Sequence, residues 1–385
     1  MLKKIKITSK SVLKKNQKFS LKLFKKPFCA NEKNRFKHKE IIKFKNKKFW
    51  KKSDEFNNLG KILVVSGPGR QGNHILLSLL DNNKHMFPNI GEDKFLENFF
   101  NSAKKNEKKI IKESLSKNGY KKFLNMSGFN NHNKWKKLWS AEKKKFIPKN
   151  YSGTEKNKNW YADFKGYTPK IKYLKFYKKI KELHKNIKKD STFLDIYKNY
   201  LISLNYLLNK NNSKYKIQYR YTGSSMRREL FYLFENTSNV ICISPIRRFE
   251  SFYFSFSKSY FNSTEIKKKY LNEAWEHWRH KIIDYLLLKK KYPKKIILVK
   301  FEDLINNPEL VFKKINNLLK IKTNIKNIKM RILGKRVYGN SSSKISKKTN
   351  KYGVYKPEGS EYFFDKNILP PEYFDIIKKV NKFSI

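Results

Sequence analysis

The run KILVVSGPGRQGNH, from Lys61 to His74, restricts what this chain can fold into more than any other stretch. Ile62, Val64 and Val65 are β-branched residues in a short apolar run, which predicts a buried strand. A loop carrying Gly67, Gly69 and Gly72 follows, and HILLSLLD then has the apolar density of a packed helix. Gly67 and Gly72 stand at the G-x-x-x-x-G spacing of a phosphate-binding loop, which continues with Lys and then Ser or Thr. Asn73 and His74 occupy those two places here. The unit keeps the shape of a phosphate cradle without the lysine or the magnesium-binding hydroxyl.

Further strand-like runs occur near Tyr215–Tyr219, at Asn239–Ile243 and at Lys295–Val299. Between them lie helical patterns, in SSMRRELFYLFEN, RRFESFYFSFSKSYF and NEAWEHWRHKIIDYLLLKKK. Strands alternating with helices predict an α/β fold, a P-loop-like three-layer sandwich whose central parallel sheet is flanked by helices. Residues 56–385 are read as this domain. Within it, 104–200 is a Lys-rich, mostly helical insertion carrying Trp135, Trp139 and Trp160, placed on the acceptor side. Residues 1–55 form a basic arm that is expected to be flexible: positions 1–53 hold 20 Lys or Arg against Glu32 and Glu40.

The net charge of +59 rests on 90 Lys and Arg, of which only ten are Arg. Such a charge suits nucleic acid, anionic lipid or an acidic substrate. Abundant Lys, Asn and Ile are equally what AT-rich coding yields on a solvated surface. Rare Arg is the informative part, because a planar bidentate donor is not replaced by Lys. Two cysteines, Cys29 and Cys242, support neither a disulfide framework nor a metal site, so a reducing compartment is expected. The N-terminus lacks the apolar core of a signal peptide, and no run reaches the length of a membrane span. The expectation is a cytoplasmic protein whose basic arm allows peripheral contact with an anionic membrane.

Three later segments bear on what the cradle holds. In NIGEDKFLENFF, Glu92 and Asp93 stand where a second strand is expected to end, the edge that lines the crevice of open α/β sheets. Glu92 is the candidate base; Asp93 reads as the N-cap of the following helix. In ICISPIRRFESFYFSFS, a strand runs into a helix with Arg247 and Arg248 in its first turn. Cations there oppose the helix macrodipole, so a bound anion explains them better, with Ser251 one turn on. In FEDLINNP, the pair Glu302–Asp303 follows a strand and reads as structural.

Taken in order, these segments resemble the sulfotransferases that use 3′-phosphoadenosine-5′-phosphosulfate (PAPS). In that family a P-loop-like turn grips the 5′-phosphosulfate, an R-D-P…R…S-x-Y element grips the 3′-phosphate, and a Y-E-D-L…P unit follows. The corresponding stretches are Gly67–His74, SPIRRFESFY and FEDLINNP, and the likeness covers roughly residues 60–100 and 215–357. The resemblance implies PAPS as co-substrate, no metal, and transfer of a sulfuryl group to a hydroxyl or amine acceptor by in-line attack. It places Arg70 at the leaving oxygen and Glu92 as the base, with His85 and Asp93 as alternatives. Gly67, Gly69, Gln71, Gly72, Asn73 and His74 would hold the 5′-phosphate, and Arg248 and Ser251 the 3′-phosphate, with Arg247 beside them. Lys347, Lys348 and Gly353 fall in a stretch like the family's nucleotide-closing loop. The chain departs from the pattern at Asn73 and His74, usually Thr, and at Ile243, where the first Arg of the motif belongs.

A glycan is the first expectation for the acceptor, with a small alcohol, an amine or a lipid headgroup as alternatives. His277 reads as a structural or loop residue. Two rival classes stay open. A basic nucleic-acid- or anion-binding protein with a relic nucleotide site accounts for the charge; nucleic acid is not expected as the physiological partner. A P-loop kinase accounts for the loop spacing but requires the missing Lys-Ser/Thr pair.

Overall fold

The structure, a computed structural model, describes residues 54–87, 95–96, 173–188, 191–208, 212–224, 227–260, 268–322, 325, 328–332, 335–336, 350–354, 364 and 366–385. In chain order these form α1 (Asp54–Asn57), β1 (Lys61–Gly67), α2 (Asn73–Leu79), α3 (Tyr173–Lys185), α4 (Phe193–Leu208), β2 (Ile217–Ser224), α5 (Arg227–Asn236), β3 (Val240–Ile246) and α6 (Phe249–Tyr260). There follow α7 (Lys268–Lys291), β4 (Ile296–Lys300), α8 (Phe301–Asn306), α9 (Pro308–Leu319), the two-residue strands β5 (Arg331–Ile332) and β6 (Lys335–Arg336), and α10 (Pro371–Phe383).

Four strands make one sheet in the order β2-β1-β3-β4, all parallel. Parallel neighbours need crossovers, and helices supply them: α5 between β2 and β3, then α6 and α7 between β3 and β4. The expected α/β architecture with a central parallel sheet is what the chain adopts. A parallel sheet covered on both faces calls for continuous apolar runs rather than alternation. Ile62, Leu63, Val64 and Val65 are each no more than 1% exposed, and Val240, Cys242 and Ile243 are fully buried. Each such aliphatic side chain stabilises the fold by about 1.5–3 kcal/mol.

Helix α4 crosses residue 200 and is built into the core. The rings of Phe193 and Tyr197 stack at 5.9 Å, Phe95 lies 4.5 Å from Tyr200, and Phe56 stacks on Tyr197 at 5.7 Å. On the other side Phe249 meets Trp275 at 5.3 Å and Trp278 at 5.8 Å, which locks α6 to α7. The chain end covers the β4 edge, with the Ile385 N–H donating to the Leu298 carbonyl at 3.0 Å.

Two details of the sheet create the crevice. The β1–β3 ladder runs from Ile62↔Val240 to Val65↔Ile243 and ends there, so the strands diverge beyond it. Pro245, lacking an N–H, sits two residues past that point, where β1 no longer needs a donor. Among the described residues no helix is long and apolar enough to cross a membrane, and no cluster of metal-ligating side chains occurs. The arm at 1–53 and most of the 104–200 segment lie outside the described residues.

Candidate functional site

The loop between β1 and α2 opens at the C-terminal edge of the sheet, where α/β folds bind ligands. Its outer two glycines are fixed by close packing. A Cβ on Gly67 would stand 2.9 Å from Asn73 Oδ1 and 3.0 Å from the Pro245 carbonyl. Gly72 has φ of 96°, and a Cβ there would lie 2.4 Å from ring carbons of Phe301, so only glycine fits. Gly69 is different: beyond its chain neighbours, the nearest atom to its Cβ position is His277 Nε2 at 4.0 Å, so a side chain there would meet no clash. Arg70 takes a left-handed conformation, φ 69°, a strained state for a residue with a side chain. No side chain caps the start of α2.

Gln71 and Asn73 give the loop its internal order. Asn73 Nδ2 donates to the Gly67 carbonyl at 3.2 Å, closing the loop on itself. The fully buried Gln71 side chain accepts a hydrogen bond at Oε1 from the Arg247 N–H, tying the loop to the end of β3. Three buried polar atoms converge here without a hydrogen-bond partner among the described residues: Gln71 Nε2, Asn73 Oδ1 and Ser244 Oγ. Buried polar groups are rarely left so, and such a cluster fits a polar ligand.

The Arg247–Ser251 segment lies next to the loop. The Arg247 guanidinium packs 4.6 Å over the Phe301 ring, and its Nε donates to Ser251 Oγ at 3.0 Å. Trp278 Nε1 donates to the Arg247 carbonyl at 2.8 Å. The Arg248 side chain is exposed, and its N–H donates to Glu302 Oε1 at 3.0 Å. The Ser251 hydroxyl lies 3.2 Å from the same carboxylate oxygen. The negative charge that the start of α6 calls for is thus supplied, in the free protein, by Glu302 from α8. The reading of Glu302–Asp303 as a structural pair omits this contact; its one signal in sequence was position, immediately after a strand end.

His277 also sits closer to the loop than its reading as a bland histidine suggests. Its ring stacks on Phe252 at 6.0 Å, and Lys281 Nζ lies 3.0 Å from its Nε2. His74 is the second residue of α2, as expected for a residue at the loop's end. His85 is at the other end of the sheet. Its carbonyl accepts from the N–H of Ile217, the first residue of β2, whereas Gly67 pairs with Ser224, the last. Seven residues of strand separate the two, on the order of 20 Å, so His85 cannot serve as base for this loop. Gly353, φ 85°, lies in a turn organised by Asn350, whose Nδ2 donates to the Ile305 carbonyl at 3.3 Å. Glu92, Asp93, Lys347 and Lys348 lie outside the described residues. Met86, just before the expected second strand, makes a single parallel bridge to Ile217.

No family model matches the chain, and no curated protein matches it. Among solved structures it is similar to the sulfotransferase domain of the Synechococcus PCC 7002 olefin synthase, with 14% identity, a TM-score of 0.44, and 87% of this chain and 98% of that one covered. It is also similar to the sulfotransferase domain from the curacin biosynthetic pathway, at 14% identity and a TM-score of 0.37 over 69% and 75% of the two chains. A third is sulfotransferase STF1 from Mycobacterium tuberculosis H37Rv, at 12% identity and a TM-score of 0.35 over 83% and 91%.

Proposed function

We propose that the protein is a sulfotransferase that moves a sulfuryl group from PAPS to an acceptor hydroxyl, with a glycan as the first candidate acceptor. One observation carries the reading: Gln71 joins the glycine loop to the Arg247–Ser251 segment, so the two anion-binding elements meet at adjacent strand ends. A nucleotide with phosphates at both 3′ and 5′ positions matches two such elements side by side. The cradle fits it chemically. Gln71 Nε2 and Ser244 Oγ are buried donors awaiting an acceptor, and backbone N–H groups of Gly72, Asn73 and His74 open onto the loop.

In this reading Gly67–His74 hold the 5′-phosphosulfate, and Arg248 and Ser251 hold the 3′-phosphate, with Arg247 positioning Ser251 through its Nε. PAPS supplies the activated sulfuryl group. Glu92 accepts the proton of the acceptor hydroxyl as that oxygen forms its bond to sulfur. Arg70 lies on the opposite side and neutralises the charge left on the bridging oxygen when its bond to sulfur breaks. The left-handed backbone of Arg70 supports this role, because strain of this kind persists where the surrounding structure enforces it for function. No metal is invoked, consistent with a loop lacking the Ser or Thr that would ligate magnesium.

The test is a titration with adenosine 3′,5′-bisphosphate in a chelator, followed by incubation with sulfur-35-labelled PAPS and lysate fractions. Micromolar binding without magnesium and a labelled product are expected. Binding of ATP alone, abolished by the chelator, would refute the reading and favour a kinase.

A further inference from the structure

The loop lacks the lysine that phosphate-binding loops normally carry, and helix α7 carries one beside His277, the residue nearest the open face of Gly69. We infer that Lys281, held by His277, forms a cationic wall over Gly69 that grips the terminal sulfuryl group of the nucleotide. The inference rests on the PAPS reading and adds to it two residues that the motifs do not contain.

Helix α7 is fixed against the cradle at two points. Trp278 donates to the Arg247 carbonyl at 2.8 Å, and the Tyr285 hydroxyl is bonded to Ser66 Oγ at 2.6 Å, one residue before Gly67. Trp278 and Tyr285 are seven residues apart, so they share one face of the helix, and position 281 falls between them on that face. Residue 277 lies one turn before 281 on the adjoining row. The geometry agrees: His277 Nε2 is 4.0 Å from the Cβ position of Gly69, the open side of the loop, and Lys281 Nζ is 3.0 Å from that nitrogen.

The chemistry assigns the pair different jobs. An ammonium has no lone pair, so Lys281 is the donor and His277 Nε2 the acceptor, which puts the proton of the neutral imidazole on Nδ1. The imidazole packs against two neighbouring rings of α6, Phe252 at 6.0 Å and Phe256 at 5.2 Å, which lie 5.4 Å from each other. It therefore acts as a rigid bracket that aims the ammonium at the loop. An ammonium carries three N–H donors, so serving His277 is compatible with serving an anion. Arg70, next to Gly69, supplies the second charge. The 5′-phosphate is assigned to the backbone N–H groups of Gly72, Asn73 and His74 at the start of α2, which leaves Gly69, on the earlier half of the loop, to the sulfuryl group attached beyond it. Lys281 then recognises the sulfuryl group and not the phosphate common to substrate and product.

The test compares two ligands that differ by that one group, PAPS and adenosine 3′,5′-bisphosphate, by calorimetry on the full chain without acceptor. Lys281→Met keeps the aliphatic stem and removes the charge; it should weaken PAPS about tenfold while leaving the bisphosphate within about twofold. Lys281→Arg should restore PAPS binding, and His277→Phe, which keeps the ring stack but removes the acceptor nitrogen, should reproduce part of the Lys281→Met loss. Equal weakening of both ligands, or of neither, overturns the inference and makes the pair a structural contact. If the unmodified protein binds neither ligand, the PAPS reading itself has failed.

Discussion

Gly72→Ala puts a number on how tightly the cradle is built. Two costs arise, and the structure separates them. At φ of 96° an alanine is forced into the left-handed region, which costs about 1–2 kcal/mol. Its Cβ would also lie 2.4 Å from Phe301 Cδ2 and Cε2, nearer than real Cβ contacts come, so the ring must shift by about 1 Å. Overpacking of this sort costs about 1–3 kcal/mol. The expected destabilisation is therefore about 2–5 kcal/mol, read as a lower urea midpoint at unchanged slope. Because the same ring carries the Arg247 guanidinium at 4.6 Å, its displacement should also weaken adenosine bisphosphate binding. Adding Phe301→Leu separates the two costs: the smaller side chain relieves the clash and not the backbone strain. The double variant should recover about half the loss, a coupling of 1–2 kcal/mol beyond additivity. A single variant within about 0.5 kcal/mol of the parent, or strict additivity of the pair, would refute the geometry at the loop's end.

Three other outcomes are expected. Arg248→Ala should weaken adenosine 3′,5′-bisphosphate by about 1.5–3 kcal/mol, as for a hydrogen bond to a charged group, and leave AMP, without a 3′-phosphate, unaffected; equal loss for AMP would assign Arg248 to the other phosphate. Arg70→Ala should lower kcat by ~10²-fold or more, whereas Glu92→Gln should lower it by ~10²–10⁴-fold with bisphosphate affinity unchanged; an active Glu92→Gln enzyme moves the base to Asp93. Glu302→Gln keeps an oxygen that can accept from the Arg248 N–H and Ser251 but removes the charge. It should tighten bisphosphate binding by about 1 kcal/mol at low salt, less at high salt, and leave AMP alone, as isothermal titration at two ionic strengths would show.

The strands were legible because a doubly covered parallel sheet demands unbroken apolar runs, and Ile62–Val65 and Ile296–Val299 are such runs. The limits of β2 were not. It extends through RYTGS to Ser224, past the apolar part, because its pairing with β1 continues to Gly67↔Ser224 and the ladder is made by backbone groups whatever the side chains. The loop's glycines were legible for a similar local reason: strand, tight turn and helix are consecutive in sequence. What closes the site is not local. Gln71 reaches Arg247 and Ser251 reaches Glu302 across 176 and 51 residues, and His277 meets Gly69 from a helix that reads only as an amphipathic support. Periodicity identifies which face of α7 is buried, and says nothing of what it is buried against.

The arginines at the start of α6 show how physical reasoning can be right in sign and incomplete in source. Two cations beside the positive end of a helix do require a negative partner, and sequence alone offers an external anion as the simplest one. Folding offers another. Glu302 follows β4 directly, β4 pairs with β3 through Ile246↔Lys300, and that register delivers its carboxylate to the Arg248 N–H and the Ser251 hydroxyl. On the proposed reading, a phosphate arriving at Ser251 would exchange one anion for another. Such an exchange lowers affinity for every ligand of this class. On the proposed PAPS reading it would also keep the start of α6 satisfied between turnovers and favour release of a bisphosphate product that would otherwise bind as well as the substrate. On the same PAPS reading, the carboxylate would limit retention of the 3′-phosphate common to both nucleotides, and Lys281 would discriminate between them by the group that only the substrate carries.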